Sequence, residues 1–377
     1  MLASIQKITS VSPVQDSDNL DVLEVLGWKI VSARGEFKEG DLCVYVEIDS
    51  VLPVKAEFEF LRKGCWSPRY SGFRVRTIKL RGQISQGICF PLSILPSKFI
   101  KKAVPDMDVT EILGVMKYEK QDSMKGISFG SKVVYPWWIK PFVKIIKRYN
   151  FLRRLFGRYI GLRHIYAFPS FIPKTDEERL QAHPEIFGNL KGKVFYTTIK
   201  YDGTSATYYY KDGVYGACSR NQEICNSKHK LFFSTNVYSE MAQKYDIEEK
   251  LRKLGRNIAI QGEIYGAGIQ GNKMGLSEVE FRLFNIFDID KHCYLNFEEV
   301  VTLSSELGLN MVDVLNHNVS FDDYTLEQFL KMAEINYANG SPAEGIVIRT
   351  MVEDTCHRLG RFSFKVINNQ FLLKYKE

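Results

Sequence analysis

The sequence predicts an α+β protein in which a small N-terminal β-barrel module precedes a larger domain of strands and helices. Up to about residue 105, short runs of β-branched and apolar residues are separated by turns, which is typical of an all-β segment. From about residue 166, strand-like runs such as "NIAIQGEIYG" alternate with helical stretches such as "TLEQFLKMAEINYA". We therefore divide the chain into residues 1–105, a connector over 106–165, and a second domain over 166–377.

The composition is that of an ordinary globular protein, with 45% hydrophobic and 25% charged residues among 377. The N-terminal residues lack a signal-peptide pattern, and no apolar stretch approaches the about 18 residues of a membrane span. The seven cysteines are scattered and form no C-x-x-C pair, which argues against a disulfide framework or a zinc site. We therefore expect a reducing intracellular compartment, cytoplasm or nucleus, and no membrane partner.

The strands of the first module are visible in "LDVLEVLGWKIVSA", "DLCVYVEIDSVLP" and the region around "RTIKLRGQISQG". Four or five short strands within about a hundred residues favour a small closed barrel, for which an OB-fold is one candidate.

The connector carries the excess positive charge of the chain. The net charge is +7, yet residues 123–175 contain eleven Lys or Arg and no Asp or Glu, so the rest of the chain carries 7 − 11 = −4. Aromatic residues are interleaved with these charges, and the mixture suits nucleic acid because cations bind phosphates and rings stack on bases. A helix that packs its rings on the core is an equally good interpretation, and a membrane-surface helix is a third.

The phrase "KYDG" places Lys200 at a turn, which alone is a weak signal, since Lys211 also stands at a D-G turn and fits a solvated hairpin charge. Charged residues recur downstream in order at strand positions: Glu263, Glu344 and Lys365. A buried charge costs several kcal/mol unless it is paired or has a task. A series of such residues therefore indicates a site.

The required chemistry explains these residue types. A lysine amine attacks phosphorus only when neutral, so its pKa must be lowered by desolvation or by nearby positive charge. The leaving pyrophosphate and the transition state need cations, supplied by Mg²⁺ and by Arg or Lys. Mg²⁺ prefers carboxylate and water oxygens, and an aromatic ring such as Phe287 can stack on a purine. Four carboxylates could serve the metal: Asp202, Glu263, Asp288 and Glu344.

The ordered phrases "KYDGTS", "GEIYG", "FRLFNIFDID", "EGIVIR" and "SFKVI" resemble motifs I, III, IIIa, IV and V of the covalent nucleotidyltransferases. These enzymes comprise ATP-dependent DNA ligases, RNA ligases and capping enzymes. The first half, with "EFKEGDLCVYVEIDSVLP", "RTIKLRGQISQG" and "FPSFIPKTDEERLQ", is similar to the RNA ligase 5 family. This resemblance implies an OB-fold module followed by a nucleotidyltransferase domain of antiparallel sheets with flanking helices. It covers nearly the whole chain except about residues 107–165.

The resemblance also implies individual roles. Lys200 would accept AMP from ATP as a phosphoramide. Asp202 and Glu344 would hold the catalytic Mg²⁺ or Mn²⁺ through its waters, with Asp288 as a helper. The nucleotide contacts would come from six residues, namely Ile199, Glu263 (ribose), Phe287 (adenine), Lys365 (α-phosphate), Arg220 (ribose or phosphate) and Arg179 (outgoing pyrophosphate).

The function implied is that of an ATP-dependent RNA ligase acting on 3′-hydroxyl and 5′-phosphate ends, in a nicked duplex, as a monomer. The alternatives are a DNA ligase, a GTP-using capping enzyme, or a nucleic-acid-binding protein that has lost activity. One departure bears on this choice, because many relatives carry K-x-K in motif V where this chain has Ser363 before Lys365. Either Lys365 acts alone, or another lysine such as Lys374 supplies the second charge.

Overall fold

A computed structural model describes residues 1–15, 17–118, 140–149, 152, 166–183, 186–226, 236–356 and 360–376. The first module consists of eleven strands, which are β1 Ala3–Pro13, β2 Leu20–Val25, β3 Trp28–Ala33, β4 Leu42–Val46, β5 Ser50–Leu52, β6 Trp66–Ser67, β7 Gly72–Val75, β8 Thr77–Leu80, β9 Gln83–Gln86, β10 Ile88–Pro91 and β11 Met116–Lys117. Its helices are α1 Arg62–Cys65, α2 Ser97–Ile100 and α3 Thr110–Leu113.

These strands form an OB-fold in which curled sheets enclose the core. One sheet has the order β10-β4-β1-β2-β3 and a second has the order β11-β5-β7-β6. A register shift between Ile8 and Ser10 lets β1 bend from its partner β4 to its partner β2. The module runs past the predicted boundary at residue 105, because Val109, Leu113 and Val115 are buried in its core and β11 pairs with β5. We therefore place its end near residue 118.

The basic stretch predicted at residues 123–175 lies largely outside the described residues. Its best-described element is helix α4, Lys140–Arg148. Val143 is buried, whereas Phe142, Ile145 and Tyr149 are exposed. In the described part of the chain, no helix is both long enough and apolar enough to cross a membrane.

The second domain contains two larger sheets and their covering helices. Its strands are β12 Tyr166–Ala167, β13 Glu178–Arg179, β14 Val194–Lys200, β15 Thr204–Lys211, β16 Val214–Ser219, β17 Gln222–Asn226, β18 Ile258–Gly266, β19 Val279–Asp288, β20 Cys293–Tyr294, β21 Val314–Ser320, β22 Gly345–Thr350, β23 Thr355–Cys356, β24 Gly360–Arg361 and β25 Ser363–Ile367. Its helices are α5 Ile186–Asn189, α6 Val237–Lys244, α7 Ile247–Leu254, α8 Phe297–Glu306, α9 Leu326–Met332 and α10 Asn369–Tyr375.

The seven-stranded sheet has the order β12-β17-β16-β15-β18-β19-β20, and the five-stranded sheet has the order β13-β25-β22-β14-β21. Pairing is antiparallel throughout these two sheets except between β13 and β25, which are parallel. Apolar residues of α6, α7 and α8 pack on one face of the larger sheet, and α9 packs on the smaller one. Helices α6, α9 and α10 begin at polar residues whose side chains accept a backbone N–H, and α9 has a capping box of Thr325 and Gln328. The predicted α+β fold is confirmed.

The "KYDG" turn joins the two sheets. Strand β14 belongs to the five-stranded sheet and β15 to the seven-stranded sheet, so this turn is a crossover and not the tip of a hairpin. Gly203 is required here, because a Cβ at this position would lie 2.3 Å from the carbonyl oxygen of Ile264. Lys200, the last residue of β14, therefore lies where both sheets meet.

Candidate active site

A cavity of about 590 Å³ opens where the two sheets approach each other and the OB-fold module. This volume suits a nucleotide. The second domain contributes most of the lining, and the first module contributes Asp49, Arg74, Lys117 and Tyr118. Of the predicted site residues, the lining includes Arg179, Ile199, Lys200, Asp202, Arg220, Glu263, Glu344 and Lys365.

Lys200 is ion-paired at the floor of this cavity. Its Nζ donates to Oε2 of Glu344 over 2.7 Å, because β14 runs antiparallel to β22 and places Lys200 opposite Gly345. Burial works to lower the pKa of Lys200, but the carboxylates of Glu344 and Glu263 outweigh it and raise the pKa above its ordinary value. The expectation of a lowered pKa is therefore wrong for this arrangement. The amine must lose its proton to Glu344 or to solvent before it can attack.

Glu263 lies on β18, opposite Ser205. Burial raises the pKa of Glu263 to about 8; Lys200 opposes this rise, and the nearby carboxylates of Glu344 and Asp202 add to it. The carboxylates of Glu263, Glu344 and Asp202 therefore lie close together, and the nearby positive charge of Lys200 does not keep the pKa of Glu263 at its ordinary value.

Asp202 and Tyr337 hold the crossover turn in place. The carboxylate of Asp202 accepts from Nζ of Lys273 over 2.6 Å, with both side chains almost fully buried. The hydroxyl of Tyr337 accepts from the backbone N–H of Asp202 at 3.1 Å and of Glu344 at 3.2 Å, and it donates to the carbonyl of Lys200 at 3.2 Å. Sequence reasoning missed both Tyr337 and Lys273, since neither lies in one of the motifs.

Lys365 projects from β25 near Lys200. Burial, together with the positive charges of Arg179 and Lys200, lowers the pKa of Lys365 to about 8. The proximity of these three cations suits an anionic ligand, such as the phosphates of a nucleotide.

Arg349 lies next to Ser363, the residue at which this chain departs from the K-x-K pattern of motif V. Strand β22 places Arg349 opposite Ser363, and the Nε of Arg349 donates to the Ser363 hydroxyl over 3.1 Å. A second guanidinium nitrogen donates to Glu177 over 2.8 Å. Although burial opposes it, Arg349 holds the pKa of Glu177 down to about 2. The cation beside Ser363 is therefore Arg349, which lines the cavity, whereas Lys374 does not.

Arg179 and Arg220 lie at the rim of the cavity. Arg179 is on β13, beside Lys365 of β25, and its guanidinium pairs with Asp49 of the first module over 2.9 Å. Arg220 pairs with Asp176 and is half exposed.

The structure does not bring Phe287 or Asp288 to the cavity. Phe287 is 2% exposed in a cluster with Ile172 and Tyr209, so protein side chains cover its ring in this structure. Asp288, the last residue of β19, accepts from the backbone N–H of Lys291, lies 3.4 Å from Arg256 and is not part of the lining. The aromatic residue of β19 that does line the cavity is Phe284.

The residue set fits a hydrated divalent metal ion. No group of three or more His, Cys, Asp or Glu side chains in the described part of the chain forms a ready-made metal cage. Mg²⁺ usually keeps several waters and uses one or two carboxylates together with substrate phosphates. Burial and, after it, the neighbouring carboxylates raise the pKa of Glu263, and a bound cation would favour the ionised form of this group. Glu263, Glu344 and Asp202 are thus suited to hold a metal ion through its waters.

Comparison with known proteins identifies the family. An OB-fold domain model matches residues 2–92, and an RNA ligase model matches residues 193–367. A Naegleria gruberi RNA ligase with a lysine-to-alanine mutation, with ATP and Mn, is 32% identical with a TM-score of 0.81, covering 100% of this chain and 99% of that one. A lysine-to-methionine mutant with AMP and Mn is 33% identical, with a TM-score of 0.80 and the same coverage. The same ligase with PPi is 33% identical, with a TM-score of 0.79, and covers 100% and 98%. No curated protein matches the chain.

The fold and the lysine-centred cavity define a covalent nucleotidyltransferase. The chain belongs to the RNA ligase family. It is an RNA ligase with an N-terminal OB-fold module. The family predicted from the ordered motifs is confirmed.

Proposed function

We propose that this ligase joins RNA 3′-hydroxyl and 5′-phosphate ends through an adenylated lysine. Nζ of Lys200 attacks the α-phosphorus of ATP, the N–P bond forms, and the bond to the pyrophosphate oxygen breaks. The AMP then passes to a 5′-phosphate end, and a 3′-hydroxyl displaces AMP as the strand is sealed. The observation that carries the proposal is the position of the Lys200 amine in the cavity, where it donates a hydrogen bond to Glu344 and lies near Glu263.

The remaining residues would position the nucleotide. We assign Glu263 to the ribose, Phe284 to the adenine face, Lys365 to the α-phosphate and Arg179 to the leaving pyrophosphate. Ile199 and Arg220 line the same cavity and would contact the bound nucleotide. The metal ion, held by the carboxylates through water, would neutralise the developing phosphate charge.

Labelling with α-³²P-ATP tests the nucleophile directly. The wild-type protein should carry label on a denaturing gel when Mg²⁺ or Mn²⁺ is present, and Lys200→Ala should carry none. Lys211→Ala is the matched control, because Lys211 also precedes a D-G turn but lies next to Asp212 at an exposed hairpin. The proposal fails if the wild type is unlabelled, or if Lys200→Ala is labelled as strongly as the control.

We propose a nicked duplex as the preferred substrate, with the OB-fold module and the basic connector binding phosphates. Helix α4 and the residue after it support this role, because Phe142 and Tyr149 are exposed there, as are Lys144 and Arg148. Binding to the polyanion should weaken as salt rises. Sealing rates on nicked duplexes and on single strands would distinguish the substrates, and faster sealing of single strands would contradict the preference.

Two rival activities have distinct outcomes in the same assays. Label from GTP instead of ATP would indicate a capping enzyme, and sealing confined to DNA 3′-ends would indicate a DNA ligase. The N-terminal position of the OB-fold module argues against both, since their OB domain typically follows the transferase domain. RNA binding without any lysyl-AMP would indicate an inactive relative.

We also propose that the protein acts as a monomer in a reducing intracellular compartment. The thiols support this setting, because Cys43, Cys65, Cys89, Cys218 and Cys293 are free cysteines in the described structure. Light scattering during size-exclusion chromatography would measure the molar mass, and a dimer mass would contradict the monomer.

A further inference from the structure

We propose that Lys273 is a positioning residue for the adenylation step and that helix α10 holds it in place. Lys273 fixes the carboxylate of Asp202, two residues after the nucleophile, so that the turn keeps the geometry that the attack of Lys200 requires. This inference rests on the proposed adenylation of Lys200. It assigns a role in the reaction to a loop residue that is not part of the cavity lining.

The side chain of Lys273 is buried between a carboxylate and two aromatic rings. Its Nζ lies 2.6 Å from Oδ2 of Asp202, and the side chains of Lys273 and Asp202 are 9% and 5% exposed. The same Nζ lies 4.3 Å from the centre of the Phe371 ring and 4.5 Å from the centre of the Tyr375 ring. Aromatic faces attract a cation, most strongly where water is excluded. The two rings therefore stabilise the cation at the place where it meets Asp202.

Helix α10 supplies both rings from one side. Phe371 and Tyr375 are four residues apart, which makes them neighbours on a helix surface, and their ring centres are 4.9 Å apart. The helix begins after Asn368, whose backbone N–H donates to the carbonyl of Glu344 over 2.9 Å. The side chain of Asn368 also donates to the carbonyl of Ile335 over 3.0 Å. The two rings are thus anchored to the segment that carries Glu344.

The backbone of Lys273 is fixed by separate contacts. Its carbonyl accepts from Nδ2 of Asn339 over 2.9 Å and from the Ser341 hydroxyl over 2.7 Å. The preceding residue, Asn272, spans the loop, because its side-chain amide donates to the carbonyl of Leu276 and accepts from the backbone N–H of the same residue. Both ends of the lysine are therefore held, and its side chain is preorganised for its partner.

The position of Asp202 explains why this ion pair bears on the reaction. Asp202 lines the cavity, and its charge is one of the causes that raise the pKa of Glu263. Lys273 does not line the cavity, so we expect it to act on the nucleotide through Asp202. A buried carboxylate that loses its partner is strongly disfavoured and moves to find another. A shift of about 1 Å in the turn is enough to slow the reaction about 100-fold.

Single-turnover lysyl-AMP formation separates this role from nucleotide binding. The maximal rate constant and the ATP concentration that gives half of it are measured with α-³²P-ATP. Lys273→Met keeps much of the length of the side chain but removes its charge, and we expect its maximal rate constant to fall about 10- to 100-fold. The half-saturating ATP concentration should stay within about threefold of wild type, because Lys273 lies outside the lining.

Lys374→Met is the matched control for the loss of a lysine. The Nζ of Lys374 lies 5.4 Å from the centre of the same Tyr375 ring, but Lys374 is exposed, so this variant should adenylate like wild type. Two substitutions of Tyr375 test the aromatic contact. Tyr375→Phe keeps a ring and Tyr375→Leu does not, so we expect the leucine variant to adenylate about 3- to 10-fold more slowly than the phenylalanine variant.

A double variant tests whether Lys273 acts through Asp202. In the Asp202→Asn background, Lys273→Met should change the rate constant by no more than about threefold, since the interaction is already lost. A full additional loss would give Lys273 a separate role and overturn the inference. The double variant should also melt at a higher temperature than Lys273→Met, because it contains no buried carboxylate that has lost this partner. An equal or lower melting temperature would contradict the pairing.

The other failures are distinguishable. A wild-type maximal rate constant in Lys273→Met would overturn the inference, as would a loss confined to the labelled fraction, which indicates partial unfolding and not a slower reaction. A rise in the half-saturating ATP concentration alone would make Lys273 a nucleotide contact and refute its positioning role. If Lys273→Met does not fold, equal rates for the two Tyr375 variants would overturn the inference. An unlabelled wild-type protein would refute the proposed function itself.

Discussion

Replacing Tyr337 with phenylalanine removes one hydroxyl that links three motif residues. In the folded protein this hydroxyl accepts from the backbone N–H of Asp202 and of Glu344, and it donates to the carbonyl of Lys200. Tyr337 is 7% exposed, and burial raises the pKa of its hydroxyl above the ordinary value, so the group is neutral at any working pH.

The structure gives the size of the effect. Tyr337→Phe keeps the ring but leaves two buried N–H donors without their acceptor, at about 1–3 kcal/mol each. Because the turn can relax, we expect a loss of about 2–4 kcal/mol in the free energy of unfolding. A shift of about 1 Å in the turn would also slow the attack of Lys200 by about 100-fold.

The assay is single-turnover lysyl-AMP formation alongside chemical denaturation. The control is Tyr208→Phe, which loses a hydrogen bond of 2.9 Å to the carbonyl of Tyr238 in the core on the helix-covered face of the larger sheet. This variant should lose stability but keep the wild-type adenylation rate. If Tyr337→Phe also adenylates at the wild-type rate, the hydroxyl does not position the site and the reasoning is wrong.

Three further predictions concern the charges and the ring of the cavity. Glu263→Gln should melt at a higher temperature than wild type, and the difference should grow as pH rises from about 5 to 9. Burial lifts the pKa of Glu263 to about 8, so wild type is most stable with Glu263 protonated and loses that stability as pH rises through this value. A difference independent of pH would contradict this shift. Lys365→Met should be more stable than wild type below about pH 8, since the lowered pKa of Lys365 makes its charged form costly, yet it should form lysyl-AMP slowly; a less stable variant would contradict the sign. Phe284→Ala should raise the KM for ATP about tenfold, whereas Phe287→Ala should lower stability by about 3–5 kcal/mol with little change in KM; the opposite pattern would return the adenine contact to Phe287.

The aromatic residue of β19 shows why local sequence could not place every contact. Residues on one face of a strand recur every two positions, so the sequence pattern alone cannot show where an extra residue interrupts this alternation. Here Gln261 pairs with Asn285 and Gly262 pairs with Leu283, which leaves Phe284 as the extra residue of a β-bulge. Bulges redirect side chains and occur near active sites. The bulge directs Phe284 toward the cavity, while Phe287 packs into the core.

The sequence by itself determined the OB-fold module, and it predicted that Lys200 and the carboxylates of Asp202, Glu263 and Glu344 belong to one site, where the structure places them in one cavity. Lys200 ends β14 and Glu344 directly precedes β22, whereas Glu263 lies within β18, and the local pattern of strands and turns marks such positions. Their order along the chain was enough to identify the family.

Only the tertiary structure decided which distant residues complete the site. Tyr337 and Lys273 reach the turn from separate segments, Arg349 meets Ser363 through strand register, and Asp49 and Arg74 arrive from the other module. The local sequence pattern does not predict these contacts between distant residues, because each contact depends on how the two sheets and the barrel pack together. The physical reason is that burial and pairing set the charge of these groups, and both exist only in the folded chain.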